Sequence, residues 1–78
     1  MMVTERIIQI MAEQYDMDPA TLSEESSFEE MSFDSLDVAE MVMTLEDEYK
    51  ISIEMSSDIK TIGDISKHIQ EKIDAKNK

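Results

Sequence analysis

A serine hydroxyl lies between two acidic residues in the stretch FDSLD, which covers residues 33–37. Such a serine, Ser35, can act as a helix cap, as a nucleophile or as a point of covalent attachment. A nucleophilic serine needs a base within hydrogen-bond reach and donors that stabilise an oxyanion. His68 is the only histidine, nothing in the sequence brings it near Ser35, and the G-x-S-x-G turn of many hydrolases is absent. These observations disfavour a serine hydrolase and leave the other two interpretations open.

The two open interpretations differ in what the start of the following helix must accommodate. Serine caps helix N-termini well, contributing about 1 kcal/mol, but Asp34 can serve as the cap equally well. A helix N-terminus also has unpaired N–H groups and a partial positive charge, which suit a phosphate attached to Ser35. Asp34 and Asp37 would repel that phosphate, so their presence needs a separate reason. Recruitment of a basic partner enzyme is such a reason.

The composition and the charge exclude several kinds of site and partner. The 78 residues include no cysteine and one histidine, so disulfides, thiolate–metal sites and multi-histidine sites are excluded, and we predict no metal site. The net charge is −12, with 15 acidic residues and one basic residue, Lys50, between Glu13 and Asp58. Such a surface repels nucleic acid and anionic membranes and attracts basic protein surfaces, although acidity can also serve solubility alone.

The hydropathy pattern gives no sign of a membrane span or a signal peptide. The apolar runs are at most three residues long, and the N-terminus lacks a basic segment followed by an apolar block. We therefore expect a cytoplasmic protein. A chain of this length should form one domain, residues 1–78, with a thin core.

Apolar spacings of three and four residues predict helices along most of the chain. The first helix should cover Thr4–Tyr15, followed by a long loop at residues 16–33. The second should cover Ser35–Tyr49, a short helical turn should cover Ser56–Lys60, and the last helix should begin at the capping-box sequence TIGD, residues 61–64. The predicted fold is all-α: a small four-helix bundle of three main helices and one short helix, with a long loop between the first two.

The second helix has a buried stripe and two apolar residues outside it. The stripe comprises Val38, Met41, Val42, Leu45 and Tyr49. Leu36 and Met43 lie off that stripe, among acidic residues. A helix cap at Ser35 would not explain two exposed hydrophobic residues on a charged face.

The sequence DSLDVAEMVMTLEDEY, residues 34–49, closely resembles the acyl carrier proteins, whose second helix begins with D-S-L-D. The resemblance extends over nearly the whole chain: the first helix, the loop sequence SSF at 26–28, the I-x-I link at 51–53 and the T-[IV]-G-D-[IV] start of the last helix. It implies that Ser35 carries 4′-phosphopantetheine, added from coenzyme A by a holo-carrier-protein synthase with Mg²⁺. The arm would hold acyl groups as thioesters, and the protein itself would not be an enzyme.

The resemblance also implies partners and two sets of site residues. The partners would be the synthase and the ketosynthase, acyltransferase, reductase and dehydratase enzymes of fatty acid biosynthesis, which have basic docking patches, and the carrier is expected to be a monomer. The residues expected to contact partners are Asp34, Leu36, Asp37, Glu40, Met43, Glu46 and Asp47. The residues expected to line an acyl pocket are Met41, Val42, Leu45, Ile53, Ile59 and Ile62.

Two departures from the family pattern bear on specificity. Met31-Ser32-Phe33 replaces the usual Leu-Gly-[Ala, Leu or Met] before the D-S-L motif, so if glycine has a positive φ there, either Ser32 adopts it at a cost or the loop differs. The P-D-E-x-A-E-x-I stretch is shortened to residues 54–59 and lacks its proline. Two alternatives therefore stay open: a carrier for a specialised polyketide or other lipid pathway, and an acidic helical docking module without a covalent arm.

Overall fold

The computed structural model describes residues 3–54 and 58–76, and three α-helices form its frame. They are α1 (Val3–Gln14), α2 (Ser35–Tyr49) and α3 (Ile62–Lys76), and a 3₁₀ turn at Pro19–Thr21 lies between the first two. The all-α prediction is confirmed, and α2 has its predicted bounds. Within those residues there is no strand, only an isolated bridge between Ser27 and Thr61.

The short helical element of the described chain is the 3₁₀ turn, which Asp18 caps by accepting a hydrogen bond from the Ala20 N–H at 2.9 Å. The short turn predicted at Ser56–Lys60 falls partly on residues 55–57, which lie outside the described residues. Residues 58–60, which are described, are not helical. None of the described helices is long and apolar enough to cross a bilayer.

Each helix turns one apolar face to a common core, as the spacing predicts. Helix α1 packs against α3, and α2 closes the bundle with its own stripe. Full burial of one such side chain stabilises the fold by about 1.5–3 kcal/mol. The buried helical residues are Val3, Ile7, Ile10 and Met11 of α1, Val38, Met41, Val42 and Leu45 of α2, and Ile62, Ile65 and Ile69 of α3.

Backbone hydrogen bonds fasten the long loop to the start of α3. The Ile62 N–H donates to the Ser26 carbonyl at 3.0 Å, and the Gly63 N–H donates to the Glu24 carbonyl at 2.9 Å. A Cβ on Gly63 would lie 3.0 Å from that carbonyl oxygen. The only glycine of the chain therefore stands where the loop and the helix approach most closely.

A tight turn before α2 ends at Ser32. The Ser32 N–H donates to the Glu29 carbonyl at 3.1 Å, and the Phe33 N–H donates to the Phe28 carbonyl at 2.9 Å. Ser32 has a φ of 62°, in the left-handed region. This is the hydrogen-bond pattern of a Schellman motif, which usually has glycine at the left-handed position. Ser32 adopts the positive φ that the sequence comparison with the family anticipated.

The capping box predicted for the last helix is present. The Asp64 N–H donates to the Thr61 Oγ1, and the Thr61 N–H donates to Asp64 Oδ2, both at 3.1 Å. The Lys60 N–H donates to the same carboxylate oxygen at 2.9 Å. These backbone donors hold the pKa of Asp64 below its ordinary value.

Candidate attachment site

Ser35 is the first residue of α2, and its side chain is exposed to solvent. The N-cap is Asp34, whose Oδ1 accepts a hydrogen bond from the Asp37 N–H at 2.9 Å. Among the described residues no hydrogen bond involves the Ser35 hydroxyl, and none joins Ser35 to His68. The capping function therefore belongs to Asp34, and the serine hydroxyl is left free at the tip of the helix.

The two aspartates beside Ser35 have a structural function of their own. Asp37 returns the hydrogen bond of Asp34, because its Oδ2 accepts from the Asp34 N–H at 3.3 Å. Together they form a capping box, which satisfies donors that the first turn would leave unpaired. Negative charge at this end of α2 also complements the helix dipole. The aspartates are thus explained without reference to a partner, although both remain available to one.

An open groove of about 580 Å³ begins at Ser35. One wall comes from the start of α2, and the other comes from the turn before it and from the segment that enters α3. Phe33 is held there by Tyr15, at a ring-centroid distance of 4.9 Å, and by Phe28, at 6.3 Å. The groove is lined by Ser27, Phe28, Glu29, Phe33, Asp34, Ser35, Val38, Ala39, Ile59 and Lys60.

The outer face of α2 combines acidic and apolar side chains. Leu36 is 78% exposed and Met43 is 66% exposed, and they are the large hydrophobic residues that the described chain leaves most open to solvent. Glu40 and Asp47 are also exposed and follow at helical spacing. A face of this composition suits a basic partner with apolar contacts at its centre.

The acidic residues predicted to contact partners differ in the hydrogen bonds that they form within the chain. Glu46 is half-buried, and its Oε2 accepts a hydrogen bond from the Ile53 N–H at 2.7 Å. Glu40 accepts a longer bond from the Tyr15 hydroxyl, at 3.3 Å. Asp47 is exposed, and no hydrogen bond or ion pair of the described chain involves it. Among these three, Glu46 has the clearest structural function.

Glu48 lies outside the predicted docking set and forms an ion pair with Arg6 of α1. The hydrogen bond from the guanidinium lowers the pKa of the Glu48 carboxyl and raises that of Arg6. Both side chains are about 30% exposed, so the pair is well solvated and contributes little to stability. Its position ties the end of α2 to α1.

The residues predicted to line an acyl pocket do not line this groove, with one exception. Ile59 lies on the groove. Met41, Leu45 and Ile62 are fully enclosed in the core, and Val42 and Ile53 are more than 90% buried. In this closed state these five residues are packing residues, and their role in a pocket that opens around an acyl chain stays a prediction.

Sequence reasoning missed Ser27, Phe28, Glu29 and Lys60 as neighbours of Ser35. They come from the loop and from the segment before α3, which meet through the hydrogen bond from the Phe28 N–H to the Lys60 carbonyl, 2.9 Å long. Contacts between segments so distant in sequence leave no periodic signal. Besides Ser35, the groove residues that the sequence had singled out as site residues are Asp34 and Ile59, and Phe33 was noted only as a departure from the family pattern.

Comparisons with known proteins agree with these observations. Residues 5–69 match the profile of the family described as "Phosphopantetheine attachment site". Acyl carrier proteins of Streptococcus pneumoniae serotype 4 and Phenylobacterium zucineum are 34% and 41% identical to the chain, covering 91% and 94% of it and 96% of each relative. The crystal structure of an acyl carrier protein from Thermotoga maritima superposes with a TM-score of 0.78 at 33% identity, covering 90% of this chain and 85% of that one.

Proposed function

The chain belongs to the acyl carrier protein family, whose prosthetic group is a covalent 4′-phosphopantetheine, and on that premise we propose that it carries acyl groups on an arm attached to Ser35. Attachment requires a hydroxyl that a large partner enzyme can reach and that no internal hydrogen bond occupies. The exposure of Ser35, with Asp34 serving as the cap in its place, is the observation that carries this proposal.

The proposed attachment is a phosphoryl transfer. The Ser35 oxygen forms a bond to the phosphorus nearest the pantetheine of coenzyme A, the bond from that phosphorus to the bridging diphosphate oxygen breaks, and adenosine 3′,5′-bisphosphate leaves. The serine proton passes to a base of the synthase or to water. The start of α2 offers the new phosphodiester its unpaired N–H groups and its partial positive charge. Asp34 would help place the Mg²⁺-bound coenzyme A in the synthase complex.

The arm supplies a thiol, and the chain supplies accessibility and docking without catalysing a reaction. Leu36 and Met43 would provide apolar contacts, and the acids around them would pair with arginine and lysine side chains of partners. Each exposed pair contributes only about 0–1 kcal/mol, so several together favour rapid docking and rapid release. A carrier that visits several enzymes needs both. The acids in question are Asp34, Asp37, Glu40, Glu46 and Asp47.

Fatty acid biosynthesis is the pathway that we propose, with the synthase, ketosynthase, acyltransferase, reductase and dehydratase enzymes as partners of a monomeric, single-domain, cytoplasmic carrier. The curated relatives named above are general acyl carrier proteins. Phe33 beside Ser35 favours a specialised polyketide or other lipid pathway as the second candidate, because it alters the surface next to the attachment point.

Loading the arm with acyl groups tests the carrier function. The holo protein would be incubated with acyl-coenzyme A and an acyltransferase, and then treated with hydroxylamine at neutral pH. We expect a mass gain equal to one acyl group that hydroxylamine removes, because thioesters react with it readily. A protein that gains no acyl group, or gains one that resists hydroxylamine, would contradict the proposal. Comparing ketosynthases of fatty acid and polyketide pathways would then separate the two candidate pathways.

A further inference from the structure

Lys60 is the one basic residue on the groove that begins at Ser35. The other charged residues on the groove, Glu29 and Asp34, are acidic. Within residues 3–54 and 58–76 the single ion pair joins Arg6 to Glu48, so the Lys60 ammonium is in no ion pair there. An anion attached to Ser35 would meet two carboxylates and one ammonium at the walls of the same groove.

The backbone of Lys60 is fixed while its side chain is exposed. Its N–H donates to Asp64 Oδ2 at 2.9 Å, and its carbonyl accepts from the Phe28 N–H at 2.9 Å. These bonds connect Lys60 to the cap of α3 on one side and to the turn before α2 on the other. Two backbone hydrogen bonds therefore hold Lys60 at the wall of the groove that Ser35 also lines.

The groove also has an apolar part. The Phe33 ring packs against the rings of Tyr15 and Phe28 and lines the groove together with Ser35. Val38 and Ile59 extend that surface along the groove. A volume of about 580 Å³ is of the size that encloses small organic ligands in proteins. An anion followed by a methyl-bearing chain would match the order of charge and apolar surface.

We propose that Lys60 and Phe33 hold the phosphopantetheine arm in this groove between visits to partner enzymes. The Lys60 ammonium pairs with the phosphodiester on Ser35, and the two methyl groups of the pantoyl unit lie against the Phe33 ring. Lys60 and Phe33 are thus positioning residues for the arm. This inference rests on the proposed attachment at Ser35, and it adds where the arm lies and which residues keep it there.

The test is nuclear magnetic resonance on the ¹³C-labelled holo protein, after intact mass has shown whether one arm is attached. We expect nuclear Overhauser contacts from the pantoyl methyl protons to the Phe33 ring and to the Ile59 side chain. A wild-type chain that gains no arm would overturn the attachment itself and this inference with it. An arm that is attached but gives no such contacts would overturn this inference alone.

Two lysine substitutions make the test specific to Lys60. Lys60→Gln should lower the contact intensities by roughly two- to fivefold, the range that a partly exposed ion pair can contribute to an equilibrium. Lys72→Gln removes the same charge from an exposed position on α3 away from the groove and should leave the intensities unchanged. Equal intensities in wild type and Lys60→Gln, or equal losses in both variants, would contradict a specific role for Lys60.

Discussion

At the scale of single residues, the central feature is that Asp34 caps α2 and Ser35 does not. Serine and aspartate are both good N-caps, so the sequence alone does not say which of them caps α2. In the structure Asp34 caps the helix and Asp37 completes the box, so the serine hydroxyl has no structural function. A hydroxyl at an exposed helix tip that forms no hydrogen bond within the described residues can be modified without breaking a contact of the fold there.

Asp34→Ala should therefore lower the free energy of unfolding by about 1 kcal/mol, because the Asp37 N–H loses its acceptor. Asp47→Ala, at an exposed position of the same helix, is the matched control and should change stability by less than about 0.5 kcal/mol. Urea unfolding of the unmodified protein measures both values. Equal stability of the two variants would show that the capping box does not stabilise the start of α2.

At the scale of elements, the start of a helix was predictable where a capping motif directly precedes apolar residues at helical spacing. The D-S-L-D start of α2 and the T-I-G-D start of α3 both carry local capping signals, and both helices begin where those signals stand. Information within four or five residues sufficed for both helix starts. The left-handed conformation of Ser32 was one of two alternatives, and it came from the glycine that the family has there.

The contacts that the sequence did not reveal join segments far apart in the chain. The groove beside Ser35 depends on Phe28 and Lys60, which are 32 residues apart and meet through a backbone hydrogen bond. Phe28 belongs to the SSF sequence of the family resemblance, but nothing in that sequence indicates a contact with Lys60, which carries no motif signal of its own. The predicted stripe of α2 is buried at Val38, Met41, Val42 and Leu45, whereas Tyr49 at its end is only partly buried. Burial in the core and lining of a surface groove are different properties.

Glu46 illustrates an acid whose structural function outweighs its apparent surface role. Its carboxylate accepts the Ile53 N–H at 2.7 Å and so closes the turn after α2. Glu46→Ala should speed hydrogen exchange at the Ile53 amide by roughly tenfold or more, since a hydrogen bond to a charged group contributes about 1.5–3 kcal/mol. Asp47→Ala again provides the control and should leave that exchange rate unchanged. Equal rates in both variants would contradict the structural function of Glu46.

The cap of α3 makes a prediction about pH. The pKa of Asp64 is lowered in the folded state because the backbone N–H groups of Lys60 and Thr61 donate to its carboxylate. A lowered folded-state pKa contributes stability that is present above the unfolded-state value of about 3.9 and is lost as pH falls through the folded-state value.

Asp64→Asn should consequently be less stable than wild type at pH 7, and the difference should shrink as pH falls below about 4, because the carboxyl of the unfolded chain takes up its proton there while the folded-state carboxylate keeps its charge to a lower pH. Urea midpoints of both proteins at pH 7 and at pH 3 measure the change. A difference that stays constant between those two pH values would show that the charge of Asp64 does not support the cap.

At the scale of the whole molecule, the main feature is the concentration of acidic residues in one part of the sequence. The 15 acidic residues between Glu13 and Asp58 lie in a molecule whose dimensions are only 35 × 26 × 20 Å. At an ionic strength of 0.01 M the Debye length is about 30 Å, so most of these charges repel one another across the molecule. At 0.15 M it is about 8 Å, and only near neighbours interact. Five of the seven basic residues come after Asp58 in the sequence, so only Lys50 lies among these acidic residues along the chain.

The melting temperature should therefore rise by several degrees between 0.01 and 0.15 M NaCl, since 1 kcal/mol corresponds to about 4–8 °C for a domain of this size. MgCl₂ at the same ionic strength should raise it further, because a divalent cation concentrates more strongly at an acidic surface. Scanning calorimetry under matched conditions measures both effects. A melting temperature that is the same in all three solutions would contradict the repulsion argument.

The proposed carrier function depends most on which residue is modified, and mass spectrometry identifies that residue directly. The chain and its Ser35→Ala variant would be incubated with coenzyme A, Mg²⁺ and a broad-specificity phosphopantetheinyl transferase, and then digested and mapped. We expect wild type to gain one phosphopantetheinyl group on the peptide that contains Ser35, and the variant to gain none. An unmodified wild-type chain, or a variant modified as fully as wild type, would contradict the account.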